Sequence, residues 1–107
     1  MSDTKYVMIM TTCASDEQAA RIATALVEQK LAACVQASRI TSTYRWQGTV
    51  ETEPEVRLLI KARAADYEVI ATRVAAMHSY ENPEVLAMPI VAGAPLYLDW
   101  IESETRR

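Results

Sequence analysis

Residues 34–63 read CVQASRITSTYRWQGTVETEPEVRLLIKAR, and the fold turns on how that stretch is divided. Ile40, Ser42, Tyr44 and Trp46 alternate with Thr41, Thr43 and Arg45, the period of two that an extended strand imposes on its side chains. The pattern predicts a strand from Cys34 to Trp46. Gln47-Gly48 then offers a two-residue turn, because glycine takes a positive φ at no steric cost. A second strand follows from about Thr49 to Arg63. Val56, Leu58 and Ile60 lie on one of its faces, Arg57, Leu59 and Lys61 on the other. Pro54 has no amide to donate, so it marks an edge or a bulge.

Upstream, Tyr6 to Thr12 is a short apolar run suited to a buried strand. Ser15-Asp16-Glu17-Gln18 has the form of a capping box, with Ser15 accepting from an early amide and Gln18 reaching back to the cap. Ala19, Ile22, Ala23, Leu26 and Val27 recur at helical spacing to about Lys30. Downstream, Tyr67, Ile70, Ala71, Val74 and Met77 place a second helix over Asp66 to His78. Ser79-Tyr80-Glu81-Asn82-Pro83 is a loop, since a residue before proline avoids the helical region. A last strand is predicted from Glu84 to Ala92, with Pro89 again fitting an edge. Gly93-Ala94-Pro95 breaks the chain before a terminal helix from Leu96 to about Glu104, anchored by Trp100 and Ile101. The order β-α-β-β-α-β plus a helix predicts an α+β, ferredoxin-like sandwich. It would have an antiparallel sheet, a long hairpin between the second and third strands and an extra C-terminal helix. Residues 1–107 read as one domain.

Half of the 107 residues are hydrophobic and 23% are charged, a balance that folds. A net charge of −3 with scattered Lys and Arg gives no basic stripe, and nucleic acid is excluded as a partner on that ground. The apolar run Tyr6–Met10 is too short for a secretory core or a membrane span. Cys13 and Cys34 form no Cys-x-x-Cys pair and read as reduced thiols, so a cytoplasmic setting is expected.

The same residues argue for association. Helices on one face of the sheet leave the other open. The first strand is apolar on both sides, with Val7 and Ile9 on one and Tyr6, Met8 and Met10 on the other. Such strands need cover on both faces. Strands of some 13 residues would span roughly 40 Å, well beyond a domain with a radius of gyration of about 13 Å. Projecting arms of this kind pair with neighbouring copies in a closed assembly.

Leu31-Ala32-Ala33-Cys34, Ser42-Thr43-Tyr44-Arg45-Trp46-Gln47-Gly48, Glu55 with Lys61, His78-Ser79-Tyr80-Glu81-Asn82-Pro83-Glu84 and Tyr97-Leu98-Asp99-Trp100-Ile101 occur in an order and spacing that closely resemble the CutA divalent-cation-tolerance family. The resemblance runs from about Val7 to Ile101. It implies a ferredoxin-like fold, a homotrimer built through the long strands, a cytoplasmic protein and a link to divalent metals, copper among them, with no organic cofactor. The family's copper ligands are a cysteine ending the first strand and two adjacent histidines ending the second helix. Here Thr12 stands at the cysteine position with Cys13 one residue later, and the histidine pair becomes Met77-His78. A one-residue slip reverses side-chain direction on a strand.

The candidate metal ligands are therefore His78, Cys13 and Glu84; His78 and Glu84 alone are two ligands short of a closed structural site unless subunits share it. His78 is the only histidine. Its plainer role is a favourable interaction with a helix C-terminus, and its sharper one uses an imidazole that titrates near neutrality. The two cysteines are more simply small buried hydrophobes. A second set, Lys61, Glu55, Tyr44 and Trp46, is the candidate for holding a small molecule, with the aromatics more often packing at interfaces than stacking on ligands. Lys61 and Arg63 would then supply the charge for an anionic metabolite in a sensor module. Acid–base catalysis by His78 with Glu84 lacks any recognised nucleophile motif, so the chain is expected not to be an enzyme. An RNA-recognition module shares the element order, but it needs aromatics where the third strand carries Val56, Leu58 and Ile60.

Overall fold

The computed structural model describes residues 4–107, so the start of the expected domain lies outside the described residues. Four strands and three helices follow in the order β1 (Tyr6–Cys13), α1 (Asp16–Glu28), β2 (Cys34–Trp46), β3 (Thr49–Arg63), α2 (Tyr67–Met77), β4 (Val85–Pro89) and α3 (Pro95–Glu104), with a single 3₁₀ turn at Ala64–Asp66 leading into α2. The strands make one sheet in the order β2-β3-β1-β4, and every neighbouring pair is antiparallel. This is the α+β arrangement the element order predicts.

The register sorts the side chains. Ile9 sits opposite Ile60, Val7 opposite Ala62, Thr11 opposite Leu58 and Cys13 opposite Val56. These residues form the inner face and are buried beneath α1 and α2, together with Ile22, Leu26, Ile70 and Val74. Removing that apolar surface from water is the main force holding the sheet to its helices. Ser15 caps α1, its Oγ accepting from the Gln18 amide at 3.2 Å. The reciprocal half of the expected capping box is absent. The Gln18 side chain is buried and accepts instead from the Ser79 hydroxyl at 3.3 Å, because the loop after α2 packs against the start of α1.

The hairpin turn places Gln47 at φ 50° and Gly48 at φ 83°, positive at both central positions, as the strand twist favours. β2 and β3 remain paired over all of Cys34–Trp46, while β1 stops pairing with β3 at Val56. Pro54 lies beyond that point, opposite Thr41 in an unbroken ladder. Its missing donor therefore costs no bond on the side β1 has left. The outer hairpin projects as an arm, and the molecule measures 44 × 28 × 22 Å with a radius of gyration of 14.4 Å.

Two element readings change. β4 is shorter than the expected 84–92, ending at Pro89, since a proline on this edge strand interrupts the ladder; one further bond joins the Ile90 amide to the Tyr6 carbonyl at 3.0 Å. In α3, Ile101 is fully buried but Trp100 is 40% exposed. One residue is a rotation of 100° on a helix, so only one of the two can face the sheet. Trp100 packs beside Tyr97 with ring centroids 5.4 Å apart. The outer sheet face is partly covered by α3, through Tyr6 donating to Glu102 at 3.1 Å and Arg63 pairing with Glu102 at 3.5 Å. No described helix is long and apolar enough to cross a membrane.

Candidate functional site

Where the arm leaves the body of the sheet, it faces the loop between α2 and β4 across an open cleft of about 870 Å³. Alternation along the arm builds one wall. Ser42, Tyr44 and Trp46 share the outer face with Glu51, Glu53 and Glu55, as the cross-strand register requires. Ser79, Tyr80, Glu81, Asn82 and Glu84 build the other wall, and Thr12 at the end of β1 lies between them. The lining includes the carboxylates of Glu55, Glu81 and Glu84 and no Lys, Arg or His.

The loop is held by His78. Its Nε2 lies 2.7 Å from the Thr12 carbonyl, and its Nδ1 accepts from the Tyr80 amide at 3.1 Å. A carbonyl can only accept, so Nε2 carries the proton and the ring is the neutral Nε2–H tautomer. Both nitrogens are engaged, and neither offers a lone pair to a metal in this conformation. Tyr80 stacks obliquely on the imidazole at 4.8 Å and donates its hydroxyl to Glu55 at 2.6 Å. Burial, and then that hydrogen bond to Glu55, push the Tyr80 phenol well above its ordinary value. Tyr44 donates to Glu53 at 2.5 Å, and this bond is the main reason its phenol is pushed up to about 12. Both tyrosines stay protonated at neutral pH and serve as donors to carboxylates, not as bases.

The sequence-derived ligand sets are divided. Of the metal trio, Glu84 lines the cleft, His78 props its wall from behind, and Cys13 points into the core with no exposed surface. Burial, with a smaller contribution from Glu55, pushes the Cys13 thiol up, which disfavours the thiolate a metal requires. Among the described residues no three His, Cys, Asp or Glu side chains gather closely enough to hold a metal ion. Of the small-molecule set, Glu55, Tyr44 and Trp46 line the cleft. Lys61 lies six residues along β3 from Glu55, about 20 Å at strand rise. Its Nζ donates to the Tyr97 hydroxyl at 3.2 Å and sits 5.3 Å from that ring's centre. Arg63, the other cation expected to hold an anion, pairs with Asp66 at 3.2 Å and with Glu102. The anionic-metabolite reading is thereby not favoured: the basic groups are committed elsewhere and the cleft is acidic.

Sequence reading missed Tyr80, whose hydroxyl orients Glu55 across a separation of 25 residues, and Gln18, which fixes Ser79. Both contacts are tertiary, and nothing in their local spacing announces them.

Residues 7–104 match the family model described as CutA1 divalent ion tolerance protein. The chain is 43% identical over 99 residues to the divalent-cation tolerance protein CutA of Thermus thermophilus, covering 92% of this chain and 96% of that one. It is 38% identical to the chloroplastic CutA of Arabidopsis thaliana, of which it spans only 56%. Among solved structures it superposes on CutA1 of the psychrotrophic Shewanella sp. SIB1 with a TM-score of 0.95 at 42% identity, covering 99% and 100% of the two chains. For the protein of Archaeoglobus fulgidus the TM-score is 0.93 at 39% identity, with 94% and 99% covered.

That Archaeoglobus protein is described as periplasmic, and the Arabidopsis one as chloroplastic. These relatives overturn the cytoplasmic expectation. Cys13 and Cys34 are free, but unpaired thiols record only the lack of a cysteine within bonding reach and do not report the compartment.

Proposed function

Because the chain belongs to the CutA1 divalent ion tolerance family, we propose that it acts in tolerance of divalent cations as a non-enzymatic homotrimer. On this reading it binds cations weakly in clefts that neighbouring subunits complete, with copper the first ion to test. The observation that carries this reading is the cleft itself: Glu55, Glu81 and Glu84 line it without a basic side chain, at the root of an arm that its own chain leaves uncovered. Oxygen donors from Glu84 and Glu55 would supply part of a coordination sphere, and further ligands would come from the next copy. His78 supports the wall and Cys13 the core.

Association is supported by the surface. β2 is an edge strand 13 residues long, and long open edges are templates for pairing. The arm exposes Trp46 at 52% and Val50 at 61%, while the segment around α3 exposes Val91 at 88% and Leu96 at 83%. Identical copies in a ring can bury both regions at once. A binding role is favoured over catalysis because the histidine's nitrogens are both engaged and the tyrosines and Cys13 are held protonated.

Native mass spectrometry of untreated protein, with equilibrium dialysis against copper and zinc, tests both parts. Three copies with saturable ion uptake are expected. A stable monomer at high dilution would sink the assembly, and dialysis without saturation up to about millimolar metal would sink the cation role.

A further inference from the structure

One cation in the body of the sheet has no counterpart in its own chain. Arg57 lies on the outer face of β3, directly opposite Thr12 of β1 and Ser38 of β2, and it is half-buried. Its Nε is fully buried without a hydrogen-bond partner, and its guanidinium enters no ion pair among the described residues. Glu55, two residues along the same face, is taken by the Tyr80 hydroxyl. Helix α3 covers the other end of this face, with polar contacts at Tyr6, Lys61 and Arg63. A guanidinium nitrogen removed from water without an acceptor is costly, and the planar fork of arginine matches a carboxylate with two parallel bonds. The complementary group is on the arm. Glu51 shares the outer face of β3, opposite Tyr44, and is half-buried. It forms no ion pair among the described residues, whereas Glu53 and Glu55 each accept from a tyrosine. Six residues of extended strand separate Glu51 from Arg57, about 20 Å at strand rise, so the two cannot meet within one chain.

We propose that Arg57 and Glu51 are the two halves of an ion pair between copies of this chain: the arm of one copy lays its Glu51 carboxylate on the Arg57 guanidinium of a second, beside the Thr12 and Ser38 hydroxyls. A head-to-tail contact of this kind uses each group once per copy, and every pair is made when the ring closes. Apolar cover over Arg57 would instead strand a desolvated cation. The pair therefore fixes where along the neighbour's sheet the arm settles, which is the service that charge complementarity gives an interface. This inference rests on the association proposed above and adds the residues that set its register; it does not depend on metal binding.

The test is dissociation of the full chain over a dilution series, in urea held below unfolding, followed by sedimentation velocity and native mass spectrometry. Wild type is compared with Arg57→Gln, Glu51→Gln and the double variant, with circular dichroism to check that each keeps its fold. Each single change should move dissociation to at least about fivefold higher protein concentration. The double variant should fall within about twofold of the weaker single, because a pair can be lost only once. Arg57→Lys, which keeps the charge without the planar fork, should lie between wild type and Arg57→Gln, and it carries the cycle if the glutamine variant misfolds. Losses that multiply would make the two groups independent and overturn the pairing, as would unchanged dissociation in either single variant. Stabilisation of the assembly by inorganic phosphate, abolished by Arg57→Gln but not by Glu51→Gln, would give Arg57 to a free anion and overturn it too. A wild type that stays monomeric sinks the assembly reading along with the pair, whereas assembly with uncoupled losses sinks the pair alone.

Discussion

The two halves of β3 follow one rule and meet two environments. From Val56 to Ala62 the strand has neighbours on both sides, and every second side chain is buried under the helices. From Thr49 to Glu55 it has β2 alone, and none of its side chains is fully buried. The inner half is stabilised by burial within its own chain. The outer half keeps its hydrogen bonds but finds no core, so its stability within a single chain comes from the ladder, the turn and cross-strand contacts such as Thr43 with Thr52 at 3.1 Å. A hairpin without a packed face is marginal in water. The difference explains why the arm is the part of the molecule left for other things: neighbouring copies, and the wall of a cleft.

The largest effect that sharpens this contrast is a core truncation. Ile60→Ala should lower stability by about 2–5 kcal/mol in urea denaturation, because Ile60 is fully buried. Val50→Ala in the arm should stay within about 0.5 kcal/mol under conditions that keep chains apart. Equal losses at the two positions would erase the distinction. Val50→Asp, by contrast, should shift sedimentation toward smaller species if copies cover the arm, and an unchanged profile would leave the arm free of that duty.

Tyr80→Phe removes the bond to Glu55 that ties the loop to the arm, and a loss of about 1.5 kcal/mol is expected for a hydroxyl donating to a carboxylate. Accelerated amide exchange confined to residues 78–84 would locate it. Gly48→Ala should cost about 1 kcal/mol, because an L side chain at φ 83° is strained although nothing lies within 4 Å of the added carbon. Its signature would be a lower melting temperature with unchanged secondary structure.

The smallest effect is a slope with pH. Tyr44 and Tyr80 titrate above the ordinary 10.0 in the folded chain, and Cys13 titrates above 9.0. The folded state then holds protons that the unfolded chain has released. Their contribution is complete below about pH 9 and is lost as pH rises through the folded values. Denaturation midpoints measured from pH 8 to 11.5 should fall with pH, and Tyr80→Phe should flatten part of that fall. A rise would reverse the sign and refute the assignment.

Local pattern made much of this legible. Alternation from Ile40 to Trp46, the Gln47-Gly48 turn and the helical spacing of Ala19, Ile22 and Leu26 carried the element order, and two prolines marked edge positions. The pairs that share a face, Tyr44 with Trp46 and Leu58 with Ile60, followed from a period of two. Trp100 was misplaced because adjacent apolar residues on a short helix are ambiguous until its partner surface is known. The site was legible only in pieces. Glu55, Tyr44, Trp46 and Glu84 do meet in one cleft, but Lys61 and Cys13 do not, since position along a strand and the face it presents set distances that residue type leaves open.

Sequence by itself determined the periodicities, the turns and the resemblance that placed this chain among divalent ion tolerance proteins. Those signals are local or additive along the chain. Only tertiary structure decided that His78 spends both nitrogens on the backbone, that Tyr80 reaches Glu55 and that the cleft is acidic. The contacts of His78 with Thr12 and of Tyr80 with Glu55 join residues 66 and 25 positions apart, and their geometry exists only once the sheet register and the packing of the loop have set it.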